Sequence, residues 1–451
     1  MIIAHRLRIL VGLLVLCALT TPARGDDDAA TVMDQWLSDT AHQDTIAPGA
    51  TITMQNWQQY KAYMPPGMIA LFEGKYFWKM PDDVVMPVGP TIIYPLPKTY
   101  TDATERYSSQ VQIVHTPDGG YDLKNYQGGL PFPKPEDPDK GYKILANEWF
   151  GYVPHLLVIG KPAGYASFCT QDRFLNISCL ETDAVYRQLA YNTDPGTNKT
   201  EPQSQGAWYT QWIMVELPEQ SKYTAVLTVF PQDLSQEEDH YVFVPALRRS
   251  LRVASSARCA PLLGSDMVND DSRVGYDGGL HIFDAKFRGE RKILALTNVG
   301  PATGVFPQNY DMPLGWAKPS WGPWSLRDVD IIDIRRIPSQ RPGYCYGAKI
   351  MYVDTNFWHP LWEETYDTNL KLWKIVSIHP AVSDVPKIGK VTALLTGLEE
   401  YWDVENDHAT HVFSANPDGK TQSAVYNDNA PGEFNDIERY STSAGLMQIM
   451  R

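Results

Sequence analysis

Two hydrophobic periodicities divide the chain after residue 25. Between residues 26 and 110, apolar positions recur at the spacing of one helix face, which predicts short helices at 30–37, 56–64 and 102–114. Thr101 is a candidate N-cap of the third helix, and Pro65 ends the second. The end of the third helix overlaps the first predicted strand. We therefore expect a helical N-terminal part that gives way to strands near residue 111.

From residue 111 to residue 451, apolar and polar positions tend to alternate with a period of two, as they do in strands. Four hairpins are predicted at 111–126, 285–296, 364–375 and 410–426, with turns at 118–120, 288–289, 367–369 and 417–419. Further strands are predicted at 223–230, 330–337, 349–353 and 390–395. The pattern predicts a mainly β fold with accessory α, built on a large curved antiparallel sheet, a barrel or a sandwich.

Two long irregular segments interrupt the predicted strands. Residues 128–141 are rich in proline and acid, and residues 300–323 are rich in Pro, Gly and Trp, including Trp316 and Trp321. Loops of this length are usually functional or mobile. The second segment alternatively packs over the core as a lid anchored by its tryptophans. No internal repeat or linker is evident, so residues 26–451 are expected to form a single β-rich domain.

The first 25 residues have the layout of a secretory signal. Arg6 and Arg8 precede an apolar run at 9–19, and small residues at Ala23 and Gly25 suit a signal peptidase. We expect cleavage near Gly25 and a periplasmic location, with an uncleaved membrane anchor as the alternative. Cys17 raises a second alternative, lipidation at that cysteine, although the residue before it is not small.

The charge of the chain limits its partners. Removing the three arginines of residues 1–25 leaves 36 basic residues against 53 acidic ones, a net charge of −17. Such a balance disfavours binding to nucleic acid or to an anionic membrane surface. After Gly25, no apolar stretch approaches the ~20 residues that a membrane helix needs.

Four cysteines remain after the predicted cleavage. They are Cys169, Cys179, Cys259 and Cys345. An even number in an exported chain permits disulfides, and four cysteines allow three pairings. We favour Cys169–Cys179, which closes a short local loop, together with Cys259–Cys345, which ties distant strands. Four reduced, buried thiols are the alternative.

A series of short motifs resembles a known family. In chain order they are GLPFP at 129–133, ANEW at 146–149, YVFVPALRRSLR at 241–252, CAPLLGSD at 259–266, IRRIP at 334–338, YVDT at 352–355, YD at 366–367 and LWK at 372–374. The series is similar to the bacterial domain-of-unknown-function family 1329, often described as similar to outer-membrane lipoprotein-sorting proteins. The resemblance implies an unclosed β-barrel that clasps an apolar ligand, with helices plugging the opening. It also implies a setting beside efflux-type transporters of lipidic molecules, but it supplies neither a catalytic residue nor the ligand.

Aromatic and arginine side chains are the candidate ligand-binding residues. The aromatic candidates are Trp208, Trp212, Phe230, Phe243, Trp358, Trp362 and Trp373. They line a ligand pocket or, alternatively, pack in the core. Arg248 and Arg252 are predicted on one face of a strand, with Arg249 on the other, where they meet an acidic head group or pair with carboxylates of the chain. Arg335 and Arg336 have the same two alternatives.

Other chemistry has weak support in the sequence. Asp407, His408 and His411 have a spacing that a metal could use, although a solvated surface explains them better. Glu363 and Glu364 resemble a glycosidase pair, but neighbouring strand residues point to opposite faces. No nucleophile elbow, zinc-protease motif, phosphate loop or dinucleotide fingerprint is present. We therefore predict no metal, no cofactor and no catalytic site, although a triad assembled from distant residues leaves no such motif.

These observations favour a periplasmic, non-enzymatic carrier of a lipid or other hydrophobic molecule. We expect it to act with an inner-membrane efflux-type transporter or an outer-membrane protein. The alternatives are a periplasmic hydrolase of glycans or esters, and a structural partner of a transporter. The carrier hypothesis requires a bent sheet around an apolar hollow that the chain's own side chains do not fill.

Overall fold

A computed structural model describes residues 29–39, 45–160, 164–254, 257–273, 275–300, 306–415 and 424–450. The predicted signal peptide, Cys17 and the predicted turn at 417–419 lie outside the described residues.

The described residues form short helices and many strands. The helices are α1 (Ala29–Asp39), α2 (Pro66–Glu73), α3 (Lys98–Tyr107), α4 (Lys140–Trp149), α5 (Ile437–Ser441) and α6 (Ser443–Leu446). The strands are β1 (Thr51–Ile52), β2 (Met86–Pro87), β3 (Gln112–His115), β4 (Tyr121–Lys124), β5 (Leu156–Ile159), β6 (Tyr165–Gln171), β7 (Ile177–Gln188), β8 (Ala207–Leu217), β9 (Ala225–Pro231), β10 (Asp239–Val244), β11 (Arg249–Val253), β12 (Phe283–Ala295), β13 (Tyr310–Asp311), β14 (Trp316–Ala317), β15 (Ser325–Arg336), β16 (Ala348–Asp354), β17 (Pro360–Tyr366), β18 (Leu372–Val385), β19 (Gly389–Asp403), β20 (His408–Ala415) and β21 (Ala424–Tyr426).

One antiparallel sheet of 15 strands dominates the structure, in the order β11-β10-β9-β8-β7-β6-β20-β19-β18-β17-β16-β15-β12, with β5 pairing β7 and β21. Helix α4 contacts both halves of this order. Its Gly141 packs so closely on β12 that a Cβ atom would lie 2.3 Å from the Ala285 carbonyl oxygen, while its Trp149 ring lies 5.7 Å from Phe230 of β9. The sheet therefore bends around α4. Because its end strands β11 and β12 do not pair with each other, the barrel stays open. The predicted fold class is confirmed.

Three apolar clusters cover the two faces of the sheet. The concave cluster contains Tyr142 and Trp149 of α4 with side chains from both halves of the sheet. On the outer face, residues 29–39, 46–88 and 306–324 pack against strands β12 and β15 to β20. The C-terminal residues Phe434, Tyr440 and Leu446 cover the outer face of β7 to β9. Most strands are thus buried on both faces, which explains why a strict alternation of apolar and polar residues is often interrupted.

The N-terminal helices follow the prediction only in part. Helix α1 forms where expected, since Ala29, Met33 and Trp36 share one buried face. The predicted second helix is a 3₁₀ helix at Trp57–Tyr63, and a further helix, α2, starts directly after it with Pro66 as its first residue. Proline suits the first helical position because the amide hydrogen it lacks has no partner there. The two prolines therefore separate two helices rather than end one.

The third predicted helix is wrong in its boundaries. Helix α3 starts after Pro97 and ends at Tyr107, before a 3₁₀ turn and strand β3. Thr101 lies inside the helix, where its hydroxyl donates to the Lys98 carbonyl oxygen at 2.9 Å instead of capping the helix. Helices α4, α5 and α6 were not predicted.

The hairpins at 111–126 and 364–375 are confirmed, as β3–β4 and β17–β18. The hairpin at 285–296 is wrong, because β12 continues through these residues and the register with β15 shifts between Phe287 and Gly289. Arg288 and Gly289 thus mark a bulge and not a turn. The pairing at 410–426 is also wrong: β20 pairs β19 and β6, whereas β21 pairs β5.

Both favoured disulfides are present. Cys169 and Cys179 are cross-strand partners on β6 and β7. Cys259 and Cys345 are joined across a sequence separation of 86 residues, but both lie in connections between strands and not in strands. The second disulfide anchors the segment after β11 to the connection before β16.

Candidate ligand-binding site

A segment between β11 and β12 fills much of the concave side of the sheet. We call residues 257–273 and 275–282 the interior segment. At its start, the Arg258 guanidinium pairs with Glu238 and, at 2.6 Å, with Asp270, and all three side chains are buried. Pairing of this kind is what a buried charge requires. The Arg258–Glu238 ion pair therefore attaches the interior segment to the β9–β10 side of the barrel.

Asp271 binds the interior segment to the other half of the sheet. Its carboxylate lies 2.8 Å from Lys349 Nζ of β16 and 3.5 Å from Lys374 Nζ of β18, and it accepts the Tyr346 hydroxyl at 2.6 Å. Burial alone would raise the pKa of Asp271, but the two lysines outweigh it and lower that pKa below its usual value. A charged carboxylate thus links the segment to two strands at once.

The expected hollow is largely filled by the chain itself, which corrects the sequence-based picture. Helix α4 and the interior segment contribute buried side chains such as Tyr142, Trp149, Tyr276 and Leu280 to the concave core. Buried ion pairs between residues that are far apart in the sequence, such as those of Arg258 and Asp271, hold the interior segment against the sheet. The residual cavity, about 70 Å³, is much smaller than a lipid requires.

That residual cavity lies between the sheet and the interior segment. Its lining residues are Ile159, Ala166, Phe168, Thr182, Ala184, Tyr186, Gln211, Ile213, Leu262, Met267, Ser272, Arg273, Phe357, His359, Pro360, Ile378, His379, Pro380, Gly397, Leu398, Glu399, Val412, Phe413 and Ser414. Most of them are apolar, and Leu262, Met267, Ser272 and Arg273 come from the interior segment. A mainly apolar cavity with a few polar groups is the usual form of a small-molecule site.

Arg273 is the charged group of this cavity, with 3% of its surface exposed. The guanidinium lies about 5 Å from the ring centroids of Trp149, Trp208 and Tyr209, and Nη2 donates to the Trp149 carbonyl oxygen at 2.8 Å. Nε and Nη1 have no hydrogen-bond partner among the described residues. Aromatic rings and one carbonyl hold this cation, while two of its donor atoms stay unused.

Two further polar groups of the cavity are also unsatisfied. Gln211 Nε2 on β8 and both ring nitrogens of His359 make no hydrogen bond of good geometry among the described residues, although the Tyr209 hydroxyl lies beside Gln211 and Glu148 Oε1 lies 4.0 Å from His359 Nδ1; both side chains are buried. Burial, assisted by the charge of Arg273, lowers the pKa of His359 to about 3, so the imidazole is neutral. Glu399 also lines the cavity and accepts the Tyr401 hydroxyl at 2.8 Å, and burial raises its pKa to about 7.

The predicted aromatic residues lie around this cavity or far from it, and none of them lines it. Trp208 and Phe230 stack around Arg273, at 5.1 and 6.0 Å from its guanidinium. Trp212 and Phe243 belong to the outer cluster under the C-terminal helices, and Trp362 belongs to the outer cluster under the N-terminal part. Their direct contact with a ligand stays a prediction.

The other two tryptophans lie in the concave half. Trp358 occupies a turn before β17 with φ 63°, and its amide donates to the Asp354 carbonyl oxygen at 3.0 Å. Trp373 on β18 donates from Nε1 to Asp403 at 2.8 Å. The hydrogen bond to Asp403 accounts for the orientation of the Trp373 ring, and the bond to Asp354 fixes the backbone of Trp358.

The predicted alternation of Arg248 and Arg252 on one strand is wrong. Pro245 opens a 3₁₀ turn that ends at Arg248 in the left-handed region, φ 48°, so β11 starts only at Arg249. Arg252 lies in β11, exposed, and pairs with Asp239. Arg248 and Arg252 therefore do not share one face of a strand.

The remaining pair, Arg335 and Arg336, has carboxylate partners in the chain. Arg335 Nη2 lies 2.8 Å from Asp333, and Arg336 Nη2 lies 3.5 Å from Asp270 of the interior segment. These contacts match the ion-pair alternative for both residues.

The weakly supported metal group is not assembled. Asp407 pairs with Arg173 at 3.2 Å, and His408 Nδ1 lies 2.8 Å from Asp266. His411 is buried on the outer side, its ring 4.7 Å from that of Phe306. Among the described residues, no three His, Cys, Asp or Glu side chains form a group that would hold a metal ion.

Glu363 and Glu364 point to opposite faces of β17, as strand geometry requires. Glu363 lies 3.3 Å from Lys349 on the concave side, whereas Glu364 accepts the Gly67 amide at 2.8 Å and the Tyr352 hydroxyl at 2.9 Å on the outer side. They do not share a substrate site.

The fold and the cavity together define an open β-barrel protein. Its concave side is occupied by helix α4 and by the interior segment, which side-chain ion pairs attach to the sheet. The chain belongs to the family described as Protein of unknown function (DUF1329), whose model matches residues 51–444. The family predicted from the motifs is thus confirmed. An uncharacterized protein of Pseudomonas aeruginosa is 21% identical over 350 residues, which cover 74% of this chain and 69% of that protein.

Solved structures are similar at low identity. A DUF1329 family protein from Desulfovibrio piger is 15% identical, with 68% of this chain and 99% of that chain covered and a TM-score of 0.45. A putative outer membrane lipoprotein-sorting protein domain from Vibrio parahaemolyticus is 12% identical, with 66% and 96% covered and a TM-score of 0.44. A LolA superfamily protein from Nitrosomonas europaea is 10% identical, with 67% and 97% covered and a TM-score of 0.37. Within the described residues, no helix combines the length and the apolar character needed to cross a bilayer.

Proposed function

We propose that the protein is a non-enzymatic carrier in the bacterial periplasm, which binds a lipid or other hydrophobic molecule on the concave side of its open barrel. The observation that carries this proposal is the apolar cavity between the sheet and the interior segment, which Leu262 and Met267 close from the segment's side. Apolar walls on one side and a separable cover on the other are what a reversible carrier requires.

The cavity is too small for a lipid, so ligand binding requires a movement of the chain. A cavity of about 70 Å³ has room for a few water molecules but not for an acyl chain. Binding therefore requires the interior segment to withdraw Leu262 and Met267 from the sheet. An acyl chain that buries about 400 Å² would gain about 10 kcal/mol at ~25 cal/mol per Å², from which the cost of that movement and of association is subtracted.

The location and the partner belong to the same proposal. Two disulfides support folding in an oxidising compartment, and the signal-like sequence at residues 1–25 points the same way. We propose that the protein receives its ligand from an efflux-type transporter of the inner membrane or passes it to an outer-membrane protein. Co-purification with such a transporter, dependent on bound ligand, is the expected result.

Binding of an apolar probe tests the carrier proposal. The protein is extracted with organic solvent, the released molecules are identified by mass spectrometry, and the delipidated chain is titrated with a neutral fluorescent naphthylamine. We expect saturable binding that Ala184→Leu weakens, because Ala184 of β7 lines the cavity. The matched control is Ala225→Leu on β9, which is equally buried but lies in the outer cluster. A native extract without any hydrophobic molecule, together with no saturable probe binding, would refute the proposal.

A further inference from the structure

The polar groups of the cavity that lack partners are mainly hydrogen-bond donors. Arg273 offers Nε and Nη1, Gln211 offers Nε2, and the neutral ring of His359 offers one N–H. Each of these three side chains is at least nine-tenths buried, and each lines the same cavity. Unmade hydrogen bonds of buried donors are costly, so three of them around one cavity point to an acceptor that comes with the ligand.

The charge of Arg273 is also uncompensated. The structure pairs no carboxylate with its guanidinium among the described residues, and its polar contacts are the Trp149 carbonyl and the Tyr209 hydroxyl. The carboxyl groups whose pKa values its charge affects are those of Glu148 and Asp277. Burial raises both pKa values well above the usual range, and the charge of Arg273 opposes that rise. A guanidinium stays protonated in proteins, so this buried cation has no carboxylate within ion-pair distance among the described residues.

We propose that the hydrophobic ligand carries one anionic group, a carboxylate or a phosphate, which Arg273 binds inside the cavity with Gln211 and His359 as additional donors. This inference rests on the proposed carrier function and specifies its ligand. The unused Nε and Nη1 of Arg273 supply the charge-assisted hydrogen bonds, which are the strong ones. The apolar part of the ligand then lies along the wall formed by residues such as Ile213 and Ile378.

A neutral polar head group fits the same cavity less well. An alcohol or an ester carbonyl would accept one hydrogen bond but would leave the charge of Arg273 without a counter-ion. Glu399 is the one carboxylic acid among the described lining residues, and its raised pKa of about 7 reduces the repulsion it exerts on an anion. The cavity therefore selects for an anion over a neutral head of the same size.

The test compares three probes that share one chain and differ in the head group. Dodecanoic acid, dodecyl phosphate and dodecanol compete with the neutral naphthylamine on the delipidated full chain, and Arg273→Gln and Arg173→Gln are measured beside the wild type. Arg173 is exposed and distant from the cavity lining, so its variant removes the same formal charge elsewhere. We expect the acid or the phosphate to bind about 10- to 100-fold more tightly than the alcohol, and Arg273→Gln alone to abolish that preference.

The outcomes separate this inference from the carrier function. Equal binding of all three probes to the wild type refutes the anionic ligand and leaves the carrier intact. No binding of any probe refutes both. A preference that survives in Arg273→Gln refutes the role of Arg273. If that variant fails to fold, Gln211→Leu and the wild-type preference decide, and the two anionic probes distinguish a carboxylate from a phosphate.

Discussion

Filling the residual cavity is expected to stabilise the protein. Ala184 of β7 is 1% exposed and faces the cavity of about 70 Å³, so Ala184→Leu places three additional carbon atoms there. At about 24 cal/mol per Å³, a cavity of 70 Å³ corresponds to about 1.7 kcal/mol of lost contacts. Burial of the added carbons gives an upper limit of about 2 kcal/mol. We therefore expect the free energy of unfolding to rise by about 1–2 kcal/mol.

Urea denaturation of the delipidated protein measures this change. The midpoint should rise while the slope stays constant, because a filled cavity changes stability without changing the surface exposed on unfolding. Ala225→Leu is the matched control: Ala225 is fully buried in the outer cluster, away from the cavity, and overpacking there should cost about 1–3 kcal/mol. Equal destabilisation by both substitutions would show that the space beside Ala184 does not exist, and the reasoning about the site would fail with it.

Three further predictions concern stability. Burial raises the pKa of Glu364 to about 7, so the folded protein retains a proton that the unfolded chain releases near the ordinary glutamate pKa of 4.5. Stability should therefore fall as pH rises between these two values, and the urea midpoint of Glu364→Gln should vary less over that range. Replacing Cys259 and Cys345 by alanine opens an 86-residue loop and should cost up to about 4 kcal/mol in thermal or chemical denaturation, a loss that an unchanged midpoint would contradict. Arg327→Met leaves the buried Asp354 carboxylate without the cation 2.7 Å away and should cost about 3–5 kcal/mol, whereas retained stability would show that the Arg327–Asp354 pair does not stabilise the fold.

Local patterns were sufficient for those parts of the fold whose conformation is decided locally. The β3–β4 and β17–β18 hairpins have turn residues directly between alternating strands, and both were predicted. The Arg288-Gly289 pair gives the same local signal, but β12 continues through it because β15 supplies partners on both sides of the bulge. At a turn the chain pairs with itself, whereas at this bulge both flanking segments pair with β15. Because β15 lies about forty residues further along the chain, the local sequence does not distinguish the two.

Helix α4 escaped prediction for a related reason. Eight of its ten residues are buried, from Gly141 to Trp149, so it lacks the polar face that identifies an amphipathic helix. The candidate site was not predicted either. Gln211 lies in a strand, Arg273 in the interior segment and His359 in a connection between strands. Only the tertiary fold brings these three donors together, and their spacing in the sequence matches no motif that would predict a site.

The way the concave side is filled indicates which part of it a ligand displaces. Helix α4 is held by apolar burial of side chains such as Ile144, Leu145 and Trp149, and moving it would expose that surface to water. The interior segment is held by buried apolar side chains such as Leu280 and also by the ion pairs of Arg258 and Asp271, whose groups regain hydration when they separate. Since desolvation offsets most of the attraction in a buried ion pair, separation costs less than the pair contacts suggest. The part of the interior segment that carries Leu262 and Met267 is therefore the element that can withdraw, while Arg273 stays bound to the Trp149 carbonyl of α4 and the Cys259–Cys345 disulfide keeps the withdrawn part attached.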